Sequence, residues 1–91
     1  MPTYQRLPRF IRDYRSLSAA ERAAFKRAVG HFIEDLGAGR KPRPGLRVKG
    51  VQSAPGVFEM TWSSDGRATF SYGASVIEGE AHIVWRGLAT S

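Results

Sequence analysis

The sequence predicts an α+β fold, a helical hairpin in the first half packed on an antiparallel sheet in the second. Three observations carry that expectation. Apolar residues recur at helical spacing up to Leu36, they alternate with a period of two beyond Gly45, and a segment rich in proline and glycine separates the two regimes. A chain of 91 residues suits one domain, 1–91, with one modest core.

The first helix is expected over about 7–17. Leu7, Phe10, Ile11, Tyr14 and Leu17 form its apolar stripe, while Arg6, Arg9, Arg12 and Arg15 fall mainly on the other side. Ser18 followed by Glu21 then fits a capping box, in which the serine hydroxyl accepts from the amide three residues on and the glutamate accepts from the cap amide. A second helix over about 19–36 follows, with Phe25, Ala28, Val29, Phe32, Ile33 and Leu36 on its buried stripe and Gly37 at the expected left-handed C-terminal cap. Pro42 and Pro44 exclude helix between Gly37 and Gly45, so this stretch is a connecting loop.

Strands are expected over about 46–51, 57–63, 67–73 and 81–86. In the central pair Phe58, Met60 and Trp62 alternate with Glu59, Thr61 and Ser63, and Ala68, Phe70 and Tyr72 alternate with Arg67, Thr69 and Ser71. A two-residue Asp65-Gly66 turn would set the apolar side chains of one strand against the polar side chains of the other. A three-residue loop, Ser64 to Gly66 with Gly66 left-handed, instead pairs Ser63 with Arg67, Thr61 with Thr69 and Glu59 with Ser71, and separates the faces. The six apolar residues should then pack on the helices. The opposite face carries Glu59, Thr61, Arg67 and Thr69, joined by Arg47 and Lys49 from the strand before and Arg86 from the last. Such a face is either a cluster of donors for an anionic ligand or an ordinary solvated sheet surface.

Charge favours the first of these. Fourteen Lys and Arg against eight Asp and Glu leave a net charge of +6, which points to an anionic partner, nucleic acid or an acidic protein. Cysteine is absent, which removes disulfide frameworks and Cys-based zinc sites and suits a reducing cytosol. His31 and His82 lack ligand-type spacing, so no metal and no other cofactor is expected. No run approaches the roughly eighteen apolar residues that span a bilayer, and no secretory signal opens the chain, so a cytoplasmic protein without a membrane partner is expected.

The order of these segments, a short helical hairpin, then GLRVKGV (45–51), PGVFEMTW (55–62), DGRATF (65–70) and HIVWR (82–86), resembles the RelE/ParE superfamily of bacterial type II toxins. The resemblance spans about Leu7 to Arg86. It implies two helices on an antiparallel sheet of about four strands, and a cognate antitoxin that wraps the toxin and masks its working surface, in a heteromeric complex that meets operator DNA through the antitoxin. In the RelE-like branch it implies a metal-independent, ribosome-dependent mRNA endonuclease, an mRNA interferase that inhibits translation. There the ribose 2′-hydroxyl attacks its own phosphate and the 5′-oxygen leaves. In the ParE-like branch it implies a poison of DNA gyrase, and a third outcome is a weakened relative that only binds its antitoxin.

On the RelE-like reading Arg67 stabilises the transition state, Arg86 is a second phosphate ligand, and Lys49 holds the backbone or helps activate the attacking hydroxyl. Arg47, Lys49, Thr61 and Thr69 contact RNA. Glu59 is a conceivable base, but a carboxylate beside arginine is more readily a structural ion pair. Histidine as a residue type suits acid–base work near neutrality, which makes His82 a candidate, yet its strand position favours packing or a hydrogen bond. His31 carries no catalytic weight, and Trp62 and Trp85 fit core positions. Relatives with this Trp-Arg strand commonly carry a histidine or tyrosine soon after it. Here residues 87 to Ser91 have no titratable side chain, so either that group is lost or the natural end lies elsewhere.

Overall fold

The computed structural model describes residues 2–90. The elements are β1 (Thr3–Arg6), α1 (Pro8–Arg15), α2 (Ala19–Gly37), a 3₁₀ turn (Pro44–Leu46), β2 (Lys49–Gly50), β3 (Val57–Thr61), β4 (Gly66–Gly73) and β5 (His82–Thr90). They build one mixed sheet of five strands in the order β1-β5-β4-β3-β2, with the helices on one side. The expected α+β class stands, while the sheet has one strand more than expected and is not wholly antiparallel. The addition is β1, which pairs parallel with β5 from Thr3 opposite His82 to Arg6 opposite Trp85.

β1 is held by side chains as well as by its ladder. The Thr3 hydroxyl lies 2.7 Å from His82 Nδ1 and Gln5 Oε1 lies 2.9 Å from His82 Nε2. Since the amide oxygen can only accept, Nε2 carries the hydrogen, and Nδ1 accepts from the threonine. Buried His82 is therefore a clamp between two strands. β1 covers only the first part of β5. Beyond Arg6 the chain turns into α1, whose Asp13 Oδ2 accepts from the Leu88 amide at 3.1 Å. One edge of β5 is thus satisfied first by a strand and then by a helix, which leaves less open edge for another chain to join.

The capping box forms as expected, with Glu21 N donating to Ser18 Oγ at 3.1 Å and Ser18 N donating to Glu21 Oε1 at 2.7 Å. At the other end of α2 the left-handed residue is Gly39 (φ 71°), not Gly37, which is still helical. Gly39 N donates to Leu36 O and Arg40 N to Asp35 O, the paired bonds of a Schellman cap. The core lies between this helix and the sheet, around fully buried Phe32, Met60, Phe70 and Ile83. Trp85 sits at its centre, with ring centroids of Phe10, Phe25 and Phe70 within 5.9 Å. Both tryptophans are core residues, as expected.

The β3–β4 hairpin keeps the expected faces but not the expected register. Glu59 is opposite Thr69 and Thr61 opposite Arg67, two residues away from the expected alignment. An even shift preserves which side chains share a face, so the face assignment survives. Gly66 is extended rather than left-handed, and sterics explain the glycine. A Cβ there would lie 2.5 Å from Trp62 Cε2, so its absence lets the indole pack beneath the turn. Of the six apolar hairpin residues, Met60, Trp62, Ala68 and Phe70 are buried and Phe58 packs against the core, but Tyr72 is 46% exposed at the edge of the cluster.

Two further boundaries move. The strand expected over 46–51 shrinks to β2, because Pro44 starts a 3₁₀ turn that ends on Arg47 in the left-handed region (φ 47°). The last strand does not stop at Arg86 but continues to Thr90, opposite Gly66. Its register shifts where Thr69 faces Gly87 and Phe70 faces Trp85, which leaves Arg86 as the extra residue of a β-bulge. Ser91 lies outside the described residues.

Candidate functional site

The face of the sheet away from α2 gathers most of the polar residues singled out in the sequence. β3 contributes Glu59, β4 contributes Arg67 and Thr69, and β2 contributes Lys49. The bulge in β5 matters for Arg86. Trp85 points into the core, and the extra residue lets exposed Arg86 and then Gly87 follow on the outer side before Leu88 returns to the apolar layer. Arg9 of α1 completes the rim. A cleft of about 370 Å³ is lined by Arg9, Glu59, Arg67, Thr69, Arg86 and Gly87 among others. A Cβ at Gly87 would stand 3.5 Å from Thr69 Oγ1 and 3.4 Å from Asp13 Oδ2, so glycine keeps the floor of that cleft open.

Arg67 is the most constrained of the cations. Its Nη1 donates to Gly66 O at 2.9 Å and to Ser63 O at 3.3 Å, and its Nε lies 3.9 Å from Glu59 Oε1. Those contacts fix the guanidinium along the hairpin. Nη2 meets no hydrogen-bond partner among the described residues, so a positioned donor is left for a ligand. Lys49 Nζ approaches the same Glu59 oxygen at 4.0 Å from the other side. Glu59 therefore stands between two cations at loose ion-pair distance, which fits a tether better than a free base. Arg86 has no ion pair among the described residues.

Arg47 and Thr61 fall in an adjoining pocket instead, between α2 and the β3–β4 turn, and Arg67 lines both cavities. The expected single cluster is thus divided, with Arg67 shared by two cavities and Lys49 lining a third beside Glu59. His82 lines none of these cavities and serves the β1–β5 clamp. Among the described residues no group of three or more His, Cys, Asp or Glu is arranged to hold a metal ion. Among the described residues no helix is long and apolar enough to cross a membrane.

A second charged cluster was not singled out in the sequence. Asp35, buried on α2, accepts from Arg43 Nε at 2.9 Å, from Arg43 Nη2 at 2.8 Å, from the Arg43 amide at 2.9 Å and from Arg40 Nη2 at 3.2 Å. The Arg43 side-chain and backbone hydrogen bonds hold the Asp35 carboxyl well below the usual carboxylate range, against the opposing effect of burial. The same bonds, with one to Glu34, push the Arg43 guanidinium up. This cluster pins the loop after α2, and with it the 3₁₀ turn, to the helix. A carboxylate three residues after Phe32, on the apolar stripe itself, was the available signal.

No family model matches the chain, and no curated protein does. Solved structures do. The crystal structure of YafQ from Escherichia coli strain BL21(DE3) superposes with a TM-score of 0.64 at 12% identity, covering 100% of this chain and 94% of that one. A histidine-to-glutamine variant of E. coli YafQ gives 0.65 at 10% identity over the same shares. The intact E. coli RelBE toxin–antitoxin complex gives 0.64 at 15% identity, covering 100% and 98%. At such identities the likeness establishes the fold, which is the RelE-like α+β fold expected from the ordered segments.

Proposed function

We propose that the chain is the toxin of a type II toxin–antitoxin pair, acting as a ribosome-dependent mRNA endonuclease in the cytoplasm. The observation that carries this reading is the open sheet face on which Arg67, Arg86 and Glu59 line one cleft, with Lys49 reaching Glu59 from the next strand, in a fold shared with RelE. The partner is an antitoxin, as in the RelBE complex, and operator DNA is reached through that partner.

The cleavage is an in-line transesterification. The 2′-oxygen bonds to phosphorus as its proton passes to solvent water, the bond from phosphorus to the 5′-oxygen breaks, and the departing 5′-oxygen takes a proton from water, leaving a 2′,3′-cyclic phosphate and a 5′-hydroxyl. Charge grows on the phosphorane oxygens, and fixed cationic donors aimed there contribute most. Arg67, anchored by the turn carbonyls, is assigned that role, with Arg86 lining the same cleft. Lys49 and Thr69 hold the backbone. Glu59 keeps Lys49 and Arg67 in register, a positioning role rather than proton abstraction.

Inhibition of DNA gyrase is the second reading. It is favoured by residues 87–90, which follow Arg86 without a titratable side chain and so add no acid or base to the cleft. Expression under tight induction, followed by mapping of mRNA 5′ ends, separates the two. Cuts at ribosome-occupied codons support the endonuclease. Intact messages with DNA breaks support the gyrase poison, and the absence of any growth phenotype leaves an antitoxin-binding relative.

A further inference from the structure

The pocket beside the cleft has features that the proposed cleavage does not use. It measures about 560 Å³ and lies between α2, the 3₁₀ turn and the β3–β4 turn. Arg27 and His31, one helical turn apart on α2, line it from one side. Arg47 and Arg67 line it from the others, and the Ser63 hydroxyl from the turn is among its polar groups. No carboxylate lines it, and neither Arg27 nor Arg47 forms an ion pair among the described residues. The fourth arginine of its lining, Arg43, is spent on Asp35 and Glu34 and serves as wall.

Two features of its walls stand out. Trp62, which lines the pocket and is 6% exposed, has an indole Nε1–H that is buried without a partner among the described residues. Folded proteins rarely leave such a donor unmet, because it has lost water and gained nothing. Arg47 is also the one residue other than glycine with positive φ among the described residues. A side chain in that region is strained, and such strain persists where surroundings or function hold it.

We infer that this pocket is a second phosphate subsite for single-stranded RNA, binding the strand that flanks the bond held at the Arg67–Arg86 cleft. The inference rests on the endonuclease reading for its substrate class and extends it to a separate place on the molecule. Arg67 joins the two, since it lines both cavities. Arg27 and Arg47, without an ion pair among the described residues and with His31 beside them, match the several acceptor oxygens of a phosphodiester.

The test uses the full chain and a 2′-O-methyl oligoribonucleotide, which cannot be cleaved. The double substitution Arg27→Ala and Arg47→Ala should weaken binding about tenfold, with the slope of log affinity against log salt reduced by about 0.7 for the phosphate no longer neutralised. The indole N–H resonance of Trp62 should move on titration while that of Trp85 stays. Arg86→Ala, which alters only the cleft, is the comparator. Unchanged affinity in the double variant, with weakened binding in Arg86→Ala, would remove the subsite and leave the cleavage reading standing. Failure of the unaltered chain to bind the RNA would remove the subsite, while the ribosome-dependent cleavage reading stands or falls by the mapping of mRNA 5′ ends. A Trp62 resonance moved by an acidic peptide and not by RNA would show a protein occupant and overturn the inference.

Discussion

Asp35 and Glu59 each face two cations, and the contrast between them separates a closed ion pair from an open one. Asp35 is buried, with a side chain 3% exposed, and meets Arg43 and Arg40 at 2.8 to 3.2 Å through a bidentate fork and a backbone amide. Glu59 is 29% exposed and stands 3.9 and 4.0 Å from Arg67 and Lys49. The first arrangement saturates its charges and locks a loop. The second aligns its cations without saturating them, so they remain able to meet an anion. The same residue types give a lock or a site according to burial and distance.

The sharpest way to break this comparison is Arg67→Ala. It should lower mRNA cleavage by about 10²- to 10³-fold, the usual loss when one fixed donor to a developing oxyanion is removed. Stability should fall by only about 1 kcal/mol, for the lost bonds to the turn carbonyls. Arg67→Lys, which keeps the charge and loses the fork, should recover only part of the rate. Equal loss in thermal unfolding and in cleavage would make Arg67 a second lock.

Asp35→Asn should behave in the opposite way, lowering the unfolding midpoint while cleavage per folded molecule is kept. The pH dependence follows from the depressed Asp35 pKa. Ionised Asp35 contributes its full stabilisation above the unfolded carboxyl value of about 3.9, and the contribution is lost as pH falls below it. Urea midpoints of the unaltered chain should therefore drop more steeply below about pH 4 than those of Asp35→Asn.

Glu59→Gln should have a smaller effect. As a tether it should cost about threefold to tenfold in cleavage, with a stability change of about 0–1 kcal/mol and an unchanged pH–rate profile. Loss of the acidic limb of that profile would reassign Glu59 as the base. Smallest of all is Ser18→Ala, which lies far from either cluster in sequence and should cost about 1 kcal/mol through the capping box alone, without altering cleavage.

What was legible in the sequence is what local chemistry dictates. The capping box at Ser18 and Glu21 formed as written, and the alternation of Phe58, Met60, Ala68 and Phe70 marked the buried face even though the register moved by two. What was illegible depends on distant partners. β1 has only four residues, and its ladder exists because β5, some eighty positions on, offers an edge and His82 offers a clamp. The bulge at Arg86 leaves no trace in the pattern before Leu88, yet it sets the orientation of the cleft's second arginine. Gly66 reads as a turn glycine by its Asp-Gly context, whereas the indole of Trp62 is what excludes a side chain there. The polar face was thus legible, but the division of its residues among separate cavities was not.

The most direct test is cleavage of a defined message in a purified translation system, with the unaltered chain and Arg67→Ala compared at equal folded concentration by circular dichroism. The account predicts cuts within ribosome-bound codons for the unaltered chain and a rate lower by about two orders of magnitude or more for the variant. Equal rates in the two, or no cleavage by the unaltered chain, would contradict it.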